Sequence, residues 1–227
     1  MSDFTHYLLT RYDYPAHYPH WRQRLELFHA FTLPSVAAQT TSNFRWIVKT
    51  RHPEIIDLLS HSPRVTCSET FAFCPQTEWS ITTRLDNDDV IAPEFMQRIQ
   101  NCFRERTEVI DSIGVRYNAK TGQCVKFDYY TGSRCSPFVS LIERSSNRKT
   151  VMHYKHGSIG EHYDVRRIDY TPQWCQTIHQ TNKLMKWKPG YKAIDRPSWV
   201  SVATDAVCGH SGVFLDREAK QDQFAEQ

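Results

Sequence analysis

Glycine is scarce in this chain. Eight glycines occur in 227 residues and none cluster, so neither a Gly-x-Gly-x-x-Gly turn nor a Gly-Lys-Ser/Thr phosphate loop is present. That argues against Rossmann dinucleotide binding and against a P-loop NTPase. Gly-x-Ser-x-Gly and His-Glu-x-x-His are also missing. Cysteines number seven (Cys67, Cys74, Cys102, Cys124, Cys135, Cys175 and Cys208), yet no Cys-x-x-Cys occurs, which counts against a zinc ribbon. Cys175 and His179 stand four apart, but nothing else supports a nucleophilic thiol there. No apolar run approaches the roughly 18 residues of a membrane span. The opening Met-Ser-Asp-Phe-Thr-His has no basic n-region and no apolar h-region, so no signal peptide is expected. The expectation is a cytoplasmic protein with reduced thiols. A strong net charge is lacking too: +3 is too weak to argue for nucleic-acid binding by itself, and it is compatible with anionic substrates.

What is present describes a globular chain. Apolar residues make up 40% and aromatics 13%, enough for a substantial core in one domain. The expected domain covers residues 1–215, with halves at about 1–105 and 106–215, followed by a polar tail at 216–227. Tyr7–Thr10, Phe44–Thr50, Arg64–Cys67 and Ile81–Leu85 read as strands. Trp21, Leu25, Phe28 and Thr32 keep helical spacing up to Leu33-Pro34. A second short helix is expected over 35–39 with Ser35 as its N-cap, and another over Pro53–Ser60. Alternation of strand and helix predicts an open α/β sheet. The second half is β-rich: Val109–Tyr117, Cys124–Tyr130 and Phe138–Glu143 are strand candidates, a hairpin-like break at 146–149 precedes Val151–Tyr154, and this half is expected to be mixed or antiparallel strand with loops.

The stretch from Trp79 to Phe103 carries the chemistry. A β-prone run leads into Asp86, Asn87, Asp88 and Asp89. Pro93 then opens a helix whose apolar stripe is Phe95, Met96, Ile99, Cys102 and Phe103. An acidic cluster therefore sits at a strand's C-terminal end, where ligand sites of α/β sheets gather. Three adjacent carboxylates repel, and a cation would let them stay ionised together. Oxygen ligands of this kind suit Mg²⁺ or Mn²⁺ bridging to phosphate. The plainer alternative is a solvated acidic turn at a helix start.

Several segments together resemble a GT-A fold glycosyltransferase of the rhamnosyltransferase-like family, related to glycosyltransferase family 2. Leu33–Val48 is similar to that family's helix ending in Gln-Thr, followed by a turn, an aromatic and strand two. Thr83–Ile91 resembles its Arg-Leu-Asp-x-Asp-Asp signature. Trp174–Asn182 resembles a late aromatic…His-x-x-Asn segment, and Tyr7–Arg11 fits the opening strand. The resemblance implies a Rossmann-like α/β/α sandwich with a mixed central sheet. It implies transfer of a sugar, rhamnose among the possibilities, from a UDP-, dTDP- or GDP-sugar to a hydroxyl, with inversion.

On that resemblance Asp88 is the leading ligand for Mn²⁺ or Mg²⁺. Asp86 is a second ligand or a ribose contact, and His179 a further metal ligand or a diphosphate contact. Asp89 holds the loop or orients the ion's water shell. Arg84 pairs with phosphate or braces Asp86. Arg11 and Asn182 face the nucleotide. The general base falls among Glu161, His162 and Asp164, in a stretch that resembles the acidic helix start of family 2 but reads Glu161-His162 where Glu-Asp is usual. Lys49-Thr-Arg-His52 replaces the usual Asp-Asp-Gly-Ser turn. The acceptor stays open: glycan, lipid-linked, another hydroxyl or nucleic acid. Two other readings of the same carboxylates are a metal-dependent nucleotidyltransferase or phosphohydrolase, and a non-catalytic nucleotide- or sugar-binding protein.

Overall fold

The computed structural model describes residues 3–13, 18, 20–71, 73–127, 134–168, 171–179, 182 and 192–200. The expected tail at 216–227, Cys208, and residues 128–130 of an expected strand lie outside these.

In chain order, β1 (Phe4–Arg11) is followed by α1 (Trp21–Leu27), a π-helical turn (Phe28–Thr32) and α2 (Leu33–Ala37). Next come β2 (Arg45–Lys49), α3 (Pro53–Leu59), β3 (Val65–Ser68), β4 (Trp79–Asp86), β5 (Val90–Ile91) and α4 (Phe95–Asn101). The second half holds β6 (Glu108–Ser112), β7 (Gly114–Asn118), β8 (Cys124–Phe127) and β9 (Ser140–Arg144). After 3₁₀ turns at Ser145–Asn147 and Ile159–Glu161 come β10 (Val165–Ile168), β11 (Trp174–Ile178) and β12 (Ala193–Ile194).

The larger sheet has seven strands in the order β10-β6-β9-β4-β1-β2-β3. Only β9 runs against its neighbours; the β1–β2, β1–β4, β2–β3 and β10–β6 pairs are parallel. The C-terminal ends of β1, β2 and β4 therefore share one edge. Side chains alternate across the sheet as the pleat requires. Leu8, Trp46, Val48, Ile81 and Leu85 pack under Phe28, Val36, Ile55, Leu59, Phe95 and Ile99. Tyr7, Leu9, Ile47 and Leu141 face the other way, against Cys135, Val139, Val151 and Ile159, with Phe71 and Phe73 alongside. Each such fully buried side chain contributes about 1.5–3 kcal/mol.

A second sheet, β12-β8-β7-β11-β5, packs beside the first. It corrects one expectation. Val109–Tyr117 is not a single strand but β6 and β7, one in each sheet. The change of sheet falls at Gly114, where a Cβ would lie 2.0 Å from the Trp174 ring. Trp174 is fully buried, stacks on Phe138 with centroids 4.4 Å apart, and donates from Nε1 to the Ser112 carbonyl at 2.9 Å.

The helix after β1 also departs from expectation. It does not stop at Leu33-Pro34 but continues through a π-turn into α2. A wider turn accommodates the proline ring and its missing N–H, which a tight α-turn would not. Ser35 is thus inside the helix, donating to the Thr32 carbonyl at 2.9 Å, and is not a cap. Two smaller corrections concern the acidic stretch: β5 intervenes before the helix, and α4 begins at Phe95, two residues later than Pro93. Of the expected cysteines, Cys67, Cys74, Cys102, Cys124, Cys135 and Cys175 are free thiols. Burial pushes the Cys175 thiol well above its usual range, and it lies on β11, so it makes no nucleophile with His179. Among the described residues no helix is long and apolar enough to cross a membrane.

Candidate functional site

Three separate stretches converge on the turn after β4. The first comes from the helix before β2. Gln39 accepts the Met96 N–H at 3.0 Å and donates to the Ala92 carbonyl at 2.9 Å, and the Thr40 N–H reaches the Pro93 carbonyl at 2.9 Å. The Gln-Thr pair thus clamps the start of α4, an end with orphan N–H groups to satisfy. Thr32, in the π-turn, donates to the Asp89 carbonyl at 3.0 Å. The second stretch is β11, which pairs with β5 through Trp174–Ile91 and Cys175–Val90. That register brings the Thr177 N–H to Asp89 Oδ1 at 2.8 Å and His179 to Asp88. The third is α1, which delivers Arg24.

Asp88 is the centre of this convergence and is 5% exposed. Its Oδ2 accepts from Arg24 Nη1 at 2.5 Å, His179 Nε2 at 2.8 Å and Asn182 Nδ2 at 3.4 Å. An ionised carboxylate only accepts, so His179 carries its proton on Nε2. Asn182 in turn accepts the His179 backbone N–H at 2.5 Å. Burial by itself would raise the Asp88 carboxyl, but the His179 hydrogen bond and the Arg24 guanidinium outweigh it and hold the group below the usual carboxylate range. Asp89 goes the other way. Burial, then the charges of Asp88 and Asp86, push it well above that range. Asn87, between them, is 3% exposed, and its Nδ2 has no hydrogen-bond partner among the described residues.

Asp86 ends β4 and is more open. Arg84, two residues earlier on the same face, grips it from Nη2 at 3.1 and 3.3 Å and from Nε at 3.3 Å. Across the strand ends, Asp86 is in register with Arg11, and Arg11 with Lys49. Lys49, Arg11 and Asp86 therefore form a row on three adjacent strands, with Arg84 behind it. Arg11 is exposed. Lys49 also meets Asp13 at 2.9 Å. His156 lies beside this row, with Nδ1 3.2 Å from the Cys135 carbonyl. Burial and then the Arg84 charge lower its pKa, so it is held neutral.

Asp86, Asp88, His179, Asn182, Arg84 and Arg11 are thus brought to one edge. The candidate bases are not all there. Asp164 precedes β10 at the opposite edge of the sheet, its carbonyl accepting the Val109 N–H and its carboxylate paired with Arg106. Glu161 is exposed on the 159–161 turn, one residue beyond Gly160, whose N–H points to the Cys135 thiol. His162 stacks on Tyr154 at 4.0 Å. Arg24 is the functional residue that sequence reasoning missed. A signal existed: it is an arginine on the Trp21–Leu25–Phe28 face of an amphipathic helix, where a charge requires a partner.

The residues can be tested against the expected Mn²⁺ or Mg²⁺. Asp88 Oδ2 and His179 Nε2 stand at a separation two ligands of one ion would have. The same oxygen, however, already holds a guanidinium, a group that does not lose its charge in proteins. An ion bound there would sit within a few ångströms of a fixed positive charge. Asp86 has both oxygens on Arg84, and Asp89 Oδ1 is taken by the Thr177 N–H. Among the described residues no three His, Cys, Asp or Glu side chains form a set that could hold a metal ion. The orphan atom in the turn, Asn87 Nδ2, is a donor, suited to an anion. As folded, these residues do not fit a divalent ion.

A family model described as "Putative rhamnosyl transferase" matches residues 6–56 and 67–191. No curated protein matches. Among solved structures, S. aureus TarS 1–349 in complex with UDP-GlcNAc is similar at 12% identity and a TM-score of 0.53, over 78% of this chain and 60% of that one. The same TarS 1–349 crystallised by itself scores 0.49 at 12% identity, over 76% and 60% of the two chains. This chain thus spans about 60% of the length of those TarS chains. The likeness at 0.53 is one of fold, a GT-A-like α/β domain with a mixed central sheet.

Proposed function

The chain belongs to the family described as "Putative rhamnosyl transferase", a glycosyltransferase family, and on that premise we propose that it moves a sugar from a nucleotide-sugar donor to an acceptor hydroxyl. The observation that carries this reading is the cationic row of Lys49 and Arg11, with Arg84 behind it, at the C-terminal edge beside the Asp86–Asp89 turn. Ligands of open α/β sheets bind outside strand C-termini, and a row of fixed cations there suits a diphosphate. TarS has been crystallised with UDP-GlcNAc and with UDP, and its shared fold supports a donor of the same chemical class.

In the proposed reaction the bond between the sugar's anomeric carbon and the diphosphate oxygen breaks, and its electron pair stays on that oxygen. A new bond forms from the acceptor oxygen to the anomeric carbon, and the acceptor's proton passes to a general base. The leaving nucleoside diphosphate gains negative charge, which positive groups fixed in place stabilise without reorganising. Rhamnose is the sugar the family description points to, and inversion is the outcome the resemblance to family 2 implies. The divalent ion expected from sequence is not part of this proposal, because Arg24 and Arg84 already occupy the carboxylates that would hold it.

Thermal melting of the full chain with UDP, dTDP, GDP and their sugars tests the reading, with one arm in EDTA and one in Mn²⁺. Saturating ligand stabilises the native state by about 2.7 kcal/mol at 100 times Kd, a rise of roughly 5–10 °C for a domain of this size. No shift with any nucleotide in either arm would remove the proposal.

A further inference from the structure

Resting on that reading of the donor, we propose that the diphosphate is held by arginine and lysine side chains in place of a divalent ion, with Arg24 serving as the resident cation at Asp88. The reason for expecting an ion was the repulsion among neighbouring carboxylates. The structure relieves that repulsion without one. Arg24 neutralises Asp88 at 2.5 Å, Arg84 takes both oxygens of Asp86, and Asp89 receives the Thr177 N–H.

Arg24 is also hard to displace. It is 4% exposed and enters from a helical body that the Thr32–Asp89 hydrogen bond ties to the acidic turn. An ion that took its place would leave a buried guanidinium to find another partner, and breaking a buried pair by removing one member is costly. In front of this closed pair stand the groups that an anion would meet. Arg11 and Lys49 end adjacent strands, whose spacing is about 4.8 Å, and Arg84 shares their face. These cations bear the charge that appears on the leaving diphosphate when the anomeric C–O bond breaks. Asn87 Nδ2, buried in the turn without an acceptor among the described residues, adds a neutral donor and no ligand for a cation.

The test uses the full chain stripped with EDTA. Calorimetric titration with UDP, dTDP and GDP is compared with the same titrations in 5 mM Mn²⁺, and free Mn²⁺ is followed by EPR without nucleotide. The expected result is nucleotide affinity that agrees within about threefold between the two conditions, and no stoichiometric Mn²⁺ binding. Arg84→Met and Arg11→Met should each weaken binding about tenfold in EDTA. Arg24→Gln should create a Mn²⁺ site, since it leaves Asp88 Oδ2 and His179 to an ion. Nucleotide affinity that needs Mn²⁺ by tenfold or more in the unaltered protein would overturn the inference while leaving the glycosyltransferase reading intact. No nucleotide binding in either condition would overturn both. The measurements on the unaltered protein decide the matter even if Arg24→Gln fails to fold.

Discussion

Arg24 and Asp88 form a buried charge pair whose worth can be worked out and measured. Their side chains are 5% and 7% exposed and meet at 2.5 Å. With charge centres roughly 3.5 Å apart and an effective dielectric near 20, Coulomb's law gives an attraction of about 5 kcal/mol. Removing one partner of such a pair costs about 3–5 kcal/mol, because the other charge stays buried. Arg24→Met is therefore expected to lose stability in that range. Asp88→Asn should lose somewhat less, since His179 and Asn182 still have an oxygen to donate to. The double variant, Arg24→Met with Asp88→Asn, buries no unpaired charge and should recover about 2 kcal/mol relative to the sum of the singles. Urea unfolding followed by tryptophan fluorescence at pH 7 measures all four proteins. The acid limb gives an independent sign. A depressed carboxyl contributes stability above the unfolded value of about 3.9, and that stability is lost as pH falls through the folded value. Arg24→Met should lose this contribution and flatten the acid limb. Singles that add to the double within about 0.5 kcal/mol would refute the coupling.

Two other perturbations probe the frame around the site. Asp111 is fully buried and accepts the Ser112 N–H at 2.9 Å and the Ser136 N–H at 3.2 Å; burial raises its pKa to about 6. A raised carboxyl contributes stability below the unfolded value and loses it as pH rises through the folded one, so between about pH 4 and 6 this group should remove about 3 kcal/mol. Asp111→Asn should erase that fall in the difference between the two stability–pH curves, and parallel curves would contradict it. Gly114→Ala places a Cβ 2.0–2.3 Å from three Trp174 ring atoms; overpacking of this kind costs at least about 3 kcal/mol, so the melting temperature should fall by roughly 6 °C or more. A fall under 2 °C would mean that Trp174 has room to move.

The parts legible from sequence were those set by local pattern. Apolar runs marked β2, β3 and β4 to within two residues and β1 to within three, because a strand buried on both faces is a short apolar run. Pro53 marked the start of α3, and the Phe95–Met96–Ile99 stripe marked α4. Alternation failed between Glu108 and Asn118, where the apolar character continues through Ile113 while the chain changes sheets. The cause is a tryptophan 60 residues later in the chain, at position 174, which no window around Gly114 contains. The candidate bases are dispersed for a related reason. The stretch from His156 to Asp164 runs along one face of the sheet, so that neighbours in sequence end at opposite edges. His156 arrives beside Arg84 and Asp86, and Asp164 arrives beside Arg106. Local composition marks such a stretch as polar and says nothing of its direction.

The acidic turn shows where local electrostatics stops being informative. Adjacent carboxylates at neutral pH require either a counter-charge or a proton; Arg24 and Arg84 supply the counter-charge at Asp88 and Asp86, while the Asp89 carboxyl is pushed well above its usual range. The sequence rule identifies the demand but not its source, because Arg24 lies 64 residues before Asp88 and reaches it only through packing of α1 over the strand ends. A divalent ion and a pair of arginines answer the same charge, yet they predict different enzymes. With an ion, the carboxylates are ligands and the donor's affinity follows metal concentration. With arginines, the carboxylates are positioning groups that hold cations in place, and affinity follows ionic strength, because exposed Arg11 and half-buried Lys49 are screened by salt. The unpaired donor at Asn87 and the register of Lys49, Arg11 and Asp86 favour the second arrangement. In it, the aspartates of the turn act on the diphosphate through the guanidinium groups they fix.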